Sequence, residues 1–336
     1  LRIFPKPDST SLFLLNKDSV LRDILILMDI SIIILTFNAK DITIRMLDSL
    51  RDSLKFIASK INYEVIVVDN GSTDGITDLL EQKSISEGWF TLIKGSNIGF
   101  SKGNNVGVKQ SNSNSKYVLF LNPDVILEKD SIEKVYDYME NSPSDVSLVT
   151  CKVDLWSGGL DWDCHRGFPT PWRSFCYFTG LEKFLGKKFP TLFGGYHLLD
   201  KNMNEVHEID ACLGAFMMIR RVWGEKIKWW PTDYFLNGED IDLCYQLKVL
   251  NNTKIIYYPF ATIVHYKGAS KGTKNVSQKI TKATSEVKTL QINSGVKSME
   301  IFYKKYYAHK YPFIINTVVY LGIWLLHKKR LILGKE

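Results

Sequence analysis

Four short apolar runs in the first 125 residues each end in a small polar cluster, and this repeated pairing restricts the fold more than any other feature of the chain. Ser31–Thr36 leads into Phe37-Asn38, and Glu64–Val68 into Asp69-Asn70-Gly71-Ser72-Thr73-Asp74. Phe90–Lys94 leads into Asn97-Ile98-Gly99-Phe100, and Tyr117–Leu121 into Asn122-Pro123-Asp124. Unbroken apolar runs of this length, bounded by turn residues, read as strands buried on both faces. Between the first two, Leu47, Leu50, Leu54 and Ile57 recur at helical spacing behind the capping candidate Asp41. Further helices are predicted over about Ile76–Glu87, Lys102–Gln110 and Lys129–Asn141. Strand and helix alternating on short loops predict an α/β chain with a mostly parallel, helix-covered sheet. Such sheets bind ligands beyond the C-terminal ends of their strands, so the four polar clusters should meet at one crevice.

With 336 residues, 45% of them hydrophobic, the chain can bury one large core or two modest ones, and it is not a disordered polymer. Its net charge of +7 is unevenly placed: from Tyr266 onward there are 14 Lys/Arg against three acids, and before it 29 against 33. A mildly acidic body with a basic tail implies a separate task for the tail. The five cysteines are odd in number and contain no CxxC pair, so neither a disulfide framework nor a zinc site is signalled and a reducing, cytoplasmic setting is expected. Residues 1–27 read as an added or upstream segment on which no function is built.

Past the fourth strand, residues 152–204 are irregular and rich in Gly, Pro and aromatics such as Trp156, Trp162 and Trp172, which marks an ordered, acceptor-side insertion. Regular structure resumes with Ala211–Ile219, a helix over about Asp240–Val249, and two short strands, Lys254–Tyr258 and Ala261–His265. In the tail, residues 271–336, the segment Tyr311–Leu326 holds sixteen residues without a charge between Lys304, Lys305, Lys310 and Lys328, Lys329, Arg330. Sixteen is short for a membrane span. Basic flanks with Tyr and Trp suit a helix lying on an anionic cytoplasmic leaflet; the alternative is a helix docked on the body of the protein or on a second subunit in a homodimer.

Taken in order, Leu35-Thr36-Phe37-Asn38, Val67–Asp74, Asn97–Asn105, Leu119–Asp124, Gly214–Met217, Gly238–Leu243 and His265–Ser270 resemble family 2 glycosyltransferases of the GT-A (Rossmann-like) fold, in their rhamnosyltransferase-like branch. The resemblance spans about residues 28–270 and rests on all seven pieces together. It implies that Asp69 bonds the nucleotide base, as a strand-end carboxylate can accept from a pyrimidine N–H. It implies that Thr36, Asn38 and Asn70 line the nucleoside pocket, and that Asn97, Gly99 and the Gly103-Asn104-Asn105 turn lie beside the ribose and diphosphate, where small residues let backbone N–H groups approach anionic oxygens. Gly214 is implied to let the backbone approach the donor sugar, or else to relieve crowding.

The same resemblance places Asn122-Pro123-Asp124 at the family's Asp-x-Asp metal motif, with the first carboxylate replaced by an amide. Asp124 then holds a divalent ion, Mn2+ or Mg2+, together with the donor diphosphate. His265 is either a further ligand, which would favour Mn2+, or a structural group. Within Gly238-Glu239-Asp240-Ile241-Asp242-Leu243 the resemblance makes Asp240 the catalytic base, with Glu239 and Asp242 positioning the acceptor or holding the helix entry, and Asp163 and Arg166 as acceptor contacts. The run Trp229–Asp233 departs from the family's usual Gly-x-Phe-Asp-Glu.

The expected activity is inverting transfer of a sugar, such as rhamnose from a dTDP- or UDP-sugar, to a cell-surface glycan or a polyisoprenyl-linked saccharide, by an enzyme peripheral to the inner face of the plasma membrane. A sugar nucleotidyltransferase would want a Gly-x-Gly-x-x-Arg type loop after its first strand, where this chain has Thr36-Phe37-Asn38. A basic nucleic-acid-binding protein would carry its charge along a structured groove, whereas here it gathers beside an apolar segment, so nucleic acid is not an expected partner.

Overall fold

The computed structural model describes residues 28–267 and 285–333; the expectations for residues 1–27 and for Gly268–Ser270 at the end of the last motif lie outside them. A single sheet runs through the body of the protein. Its strands are β1 (Ile30–Thr36), β2 (Tyr63–Asp69), β3 (Thr91–Lys94), β4 (Tyr117–Leu121), β5 (Val125–Leu127), β6 (Val146–Leu155), β7 (His207–Ile209), β8 (Phe216–Arg220) and β9 (Lys254–His265). Their order is β3-β2-β1-β4-β8-β6-β9-β5, with β7 also paired to β9. All seven residues of β1 and all five of β4 are buried, as their unbroken apolar runs predict.

The expectation of a mostly parallel sheet holds for β3-β2-β1-β4 and is corrected beyond it. There β8 runs antiparallel to both β4 and β6, β6 is parallel to β9, and β5 and β7 pair antiparallel with β9. β9 is one strand of twelve residues where two were expected. Its register against β6 shifts between Tyr258 and Thr262, so Pro259, which lacks a ladder N–H, falls in the irregular stretch.

The helix Lys40–Ile57 buries Met46, Leu47, Leu50, Leu54 and Ile57 against the sheet, as the spacing predicted. Asp41 does not cap it; the Asp74 carboxylate from the loop after β2 accepts from Lys40 N at 2.9 Å, so the cap is tertiary. In the helix Phe100–Gln110, a Cβ at Gly103 or Gly107 would stand 2.5 Å from Leu35 or Ile33, and the two glycines let this helix lie directly on β1. Trp229 and Trp230, the departure noted in the sequence, fill the core: Trp230 is 1% exposed and meets Phe100 and Phe120 edge to face at 5.1 Å.

After β6 the insertion forms a short turn of helix, Trp162–Cys164, and three short helices, Pro171–Thr179, Leu181–Leu185 and Pro190–Phe193. The tail is a helical hairpin of Ser285–Tyr306 and Phe313–Leu333, held by Tyr303 Oη to Asn316 at 2.6 Å and His327 to Asn293 at 2.9 Å. Its halves differ in kind. Phe302, Tyr303 and Tyr306 of the first helix, with Tyr307 just past its end, join the main core, whereas the second helix has no buried residue and leaves Phe313, Ile314 and Ile332 largely exposed. Among the described residues no helix is long and apolar enough to cross a membrane.

Candidate active site

Three strand-end loops are stitched together by amide and hydroxyl side chains. Asn38 Oδ1, after β1, accepts from Thr73 N at 2.7 Å, and Asn38 N donates to Ser72 Oγ at 2.9 Å. Asn70, after β2, donates to Asn97 Oδ1 at 3.2 Å and accepts from Ile98 N at 3.1 Å. The buried Asp69 carboxylate accepts from Ser72 N at 3.1 Å and from the Thr77 hydroxyl, so its rotamer is set at the strand end. Gly71 makes the turn possible: its φ is +84°, and a Cβ there would lie 2.9 Å from Asn97 N. Gly71→Ala is expected to cost about 1–3 kcal/mol of stability, read as a lower urea midpoint at unchanged m.

Several residues expected to touch the donor are corrected to supporting roles. Thr36 is fully buried and its hydroxyl is bonded to Thr43 at 3.0 Å, so it holds the following helix. Asn104 is 2% exposed and donates to Phe100 O one turn back; the Gly103–Asn105 stretch is helix, not turn. Gly214 lies under Phe100 and Trp230, where a Cβ would stand 3.4 Å from either ring, so its smallness relieves crowding. Gly99, at φ +88°, brings the chain against Phe235 O, to which Phe100 N donates at 3.1 Å. Asn105, expected in the same turn beside the diphosphate, instead exchanges hydrogen bonds with the backbone of Trp230 at 2.9 and 3.0 Å.

Beyond β4 the site is a chain of alternating charges. Asp124, just past Asn122, whose N–H donates to Ala215 O, faces His265 Nε2 at 3.3 Å. His265 Nδ1 faces Asp161 at 3.0 Å. Lys267 bonds both Asp161 and Asp163, Arg166 lies 3.7 Å from Asp163, and Arg166 Nη2 donates to Asp240 Oδ2 at 2.8 Å. Seven side chains thus run from the strand-end carboxylate Asp124 to Asp240 with the sign reversing at each step. Burial opposes a charge on His265, yet Asp124 and Asp161 outweigh it and raise the imidazole to about 9. Burial likewise opposes ionisation of Asp161, and the His265 hydrogen bond and the Lys267 charge overcome it, leaving its carboxyl below the usual range. Asp161 and Lys267 were missed from sequence; each lies two residues from a residue that was named, on the same stretch of chain.

Asp240 sits at the start of the helix Glu239–Tyr245, entered through Gly238 at φ +84°. Of the two roles expected of its neighbours, burial favours holding the helix entry over positioning the acceptor. Asp242 is fully buried and accepts from Tyr234 Oη at 2.8 Å, Gln246 at 2.7 Å, Lys305 at 2.9 Å and Tyr306 Oη at 2.7 Å. Glu239 is also buried, at 6% exposure. Residues two apart on a helix are turned about 200° from each other, so Asp240 and Asp242 must serve different sides. Of the acceptor candidates, Asp163 keeps a third of its side chain exposed at the mouth, while Arg166 is buried behind Asp240.

A parallel strand-end crevice is thus joined to a mixed half-sheet of an α/β fold, with a carboxylate–imidazole pair on one side and a helix-borne carboxylate on the other. Residues 31–207 match glycosyl transferase family 2, and the chain belongs to that family. It is 28% identical over 243 residues to the rhamnosyltransferase WbbL of Escherichia coli, covering 70% of this chain and 82% of that one. It is 27% identical over 224 residues to the low-salt glycan biosynthesis hexosyltransferase Agl10 of Haloferax volcanii, covering 66% of this chain and 62% of that one. Among solved structures, the mannosyltransferase PcManGT of Pyrobaculum calidifontis, in complex with GDP-Man and Mn2+, superposes with a TM-score of 0.54 at 14% identity, over 87% of this chain and 71% of that one. The fold is GT-A, and the protein is a glycosyltransferase enzyme.

Proposed function

We propose that the chain is an inverting transferase that moves one sugar, rhamnose being the reading the WbbL likeness supports, from a dTDP- or UDP-linked donor to a cell-surface glycan or polyisoprenyl-linked saccharide. The observation that carries the mechanism is the charge chain from Asp124 to Asp240. Arg166 and the Ile241 N–H each hold one oxygen of Asp240, fixing a carboxylate at the end of that chain. Asp240 takes the proton of the acceptor hydroxyl as its oxygen bonds to the anomeric carbon; the bond from that carbon to the diphosphate breaks, and the nucleoside diphosphate leaves with the electron pair. A single displacement inverts the anomeric centre.

The residues present fit a divalent cation. Asp161 accepts from His265 Nδ1, and an ion that displaced the Nε2 proton would find the ring's lone pair beside the Asp124 carboxylate, the arrangement in which an imidazole serves as a ligand. One carboxylate and one imidazole would hold Mn2+ or Mg2+, with donor oxygens and water completing the set, and the ion would supply positive charge for the departing diphosphate. Mn2+, present in the PcManGT complex, is the better match to a nitrogen ligand. The exposed apolar helix Phe313–Leu333, with Lys328, Lys329 and Arg330 at its end, supports attachment to the inner face of the plasma membrane.

Nucleotide sugars screened by thermal shift identify the donor, since a ligand bound only by the folded state raises Tm. Calorimetry then tests the site. Mn2+ is expected to bind at least about tenfold more tightly with the matching nucleoside diphosphate than alone, because the protein offers too few ligands by itself. Equal affinity in both titrations, or no stabilisation by any nucleotide sugar, contradicts this assignment.

A further inference from the structure

The three helices of the insertion carry more exposed aromatic surface than a folded body ordinarily leaves to water. Trp172 is 47% exposed, Phe175 51%, Phe184 79%, Phe189 46% and Leu192 54%, all within 21 residues. These side chains are ordered: Trp172 stacks on Phe175 at 5.7 Å, and its indole N–H donates to Leu192 O at 2.7 Å, joining the first helix to the third. Between the rings stand Lys183, Lys187 and Lys188, all exposed and, among the described residues, without an ion-pair partner; the Lys188 ammonium lies 5.5 Å from the centre of the Phe189 ring. The single acid of the stretch, Glu182, is turned inward and bonded to His197 at 2.8 Å. Residues 172–192 therefore present apolar and positive groups outward and no exposed acid.

We infer that this face, Trp172 to Leu192, is a second membrane contact that inserts its rings at the headgroup level of an anionic bilayer while Lys183, Lys187 and Lys188 pair with lipid phosphates. Exposed rings among unpaired lysines match an interface that is apolar below and anionic above. Lysine is depleted at protein–protein interfaces, whereas it suits a surface of lipid phosphates, so three exposed lysines among the rings favour the bilayer over a protein partner. Position supports the same occupant. Arg330, near the end of the exposed tail helix, acts electrostatically on the Tyr177 hydroxyl of the first insertion helix, so the end of the tail helix lies near the insertion. The insertion also carries Asp161, Asp163 and Arg166 of the charge chain, so a bilayer held here lies beside the acceptor side of the site. This extends the membrane reading above but stands on different residues.

Full-length protein is tested by sedimentation with phosphatidylcholine vesicles, with and without phosphatidylglycerol. Phe184→Ser with Phe189→Ser is expected to lower partitioning onto the anionic vesicles by roughly tenfold or more. Changing Lys183, Lys187 and Lys188 together to Gln should lower the preference for phosphatidylglycerol, by less than high salt does in the unaltered protein, since Lys328, Lys329 and Arg330 of the tail remain. Both variants should keep the thermal shift given by the nucleoside diphosphate. Phe313→Ser with Ile314→Ser probes the tail helix separately. If only that tail variant loses vesicles and both insertion variants bind like the unaltered protein, the inference falls and the tail reading survives. If the insertion variants instead lose self-association in the ultracentrifuge with vesicle binding intact, the face belongs to a second copy and the inference is wrong. Failure of the unaltered protein to bind either vesicle overturns both readings.

Discussion

Asp240→Asn is expected to lower kcat by roughly 10²- to 10⁴-fold while the affinity for the nucleoside diphosphate changes little. The substitution keeps the shape and retains an oxygen for Arg166, whose other neighbour is Asp163 at 3.7 Å, so the buried guanidinium is not abandoned. What disappears is the group able to take the acceptor proton. Single-turnover measurements separate this from donor binding, and a melting scan separates it from a folding defect. Near-normal turnover in a folded variant would place the base elsewhere. A parallel loss of nucleotide affinity would assign Asp240 to the donor instead.

Asp242→Ala should damage the fold rather than the chemistry. It would leave two hydroxyls, an amide and an ammonium facing the space of a fully buried carboxylate. Stranding such a set costs on the order of 3–5 kcal/mol, and the lower end applies because Lys305, about a third exposed, can turn toward water. The same reasoning sets where the tail can be cut. Ending the chain before Ser298 removes Phe302, Tyr303, Tyr306 and Tyr307 from the core and both Lys305 and Tyr306 from Asp242, and the protein should unfold. Ending it after Lys310 removes the exposed second helix and should leave a folded enzyme. Urea titration of the variant and of the two truncations checks this. Equal stability of the two truncated chains would show that the first tail helix is not part of the body.

The parallel half of the sheet was legible because its information is local. The runs at β1, β2 and β4 are dominated by Ile, Val, Leu and Phe, and the glycines and amides that follow each have a turn to make, so Asp69 and Asp124 could be placed at strand ends from neighbouring residues alone. Asp240 was legible through its motif, and Arg166 as a basic residue in the insertion, but not as the partner of Asp240 across 74 positions.

What the sequence could not decide is which of several like residues faces which way. Glu239, Asp240 and Asp242 look alike as three acids in four positions. Helical geometry says only that the last two point apart, and the tail helix more than sixty residues later settles which one turns inward. Thr36 and Asn104 were read as donor contacts, and Gly214 as a donor contact or a relief of crowding, because polar and small residues near a crevice suit ligands. Packing from distant elements claimed them: Thr43, the backbone of Phe100, and the rings of Phe100 and Trp230. The charge chain was hidden for the same reason. A side chain's partner depends on which surfaces meet in space, and Asp161, His265 and Lys267 become neighbours only after β6 and β9 pair and bring together residues about a hundred positions apart. Local apolar pattern and turn chemistry decided where the strands end; the docking of insertion and tail onto that sheet decided which of its polar residues remain at work in the site.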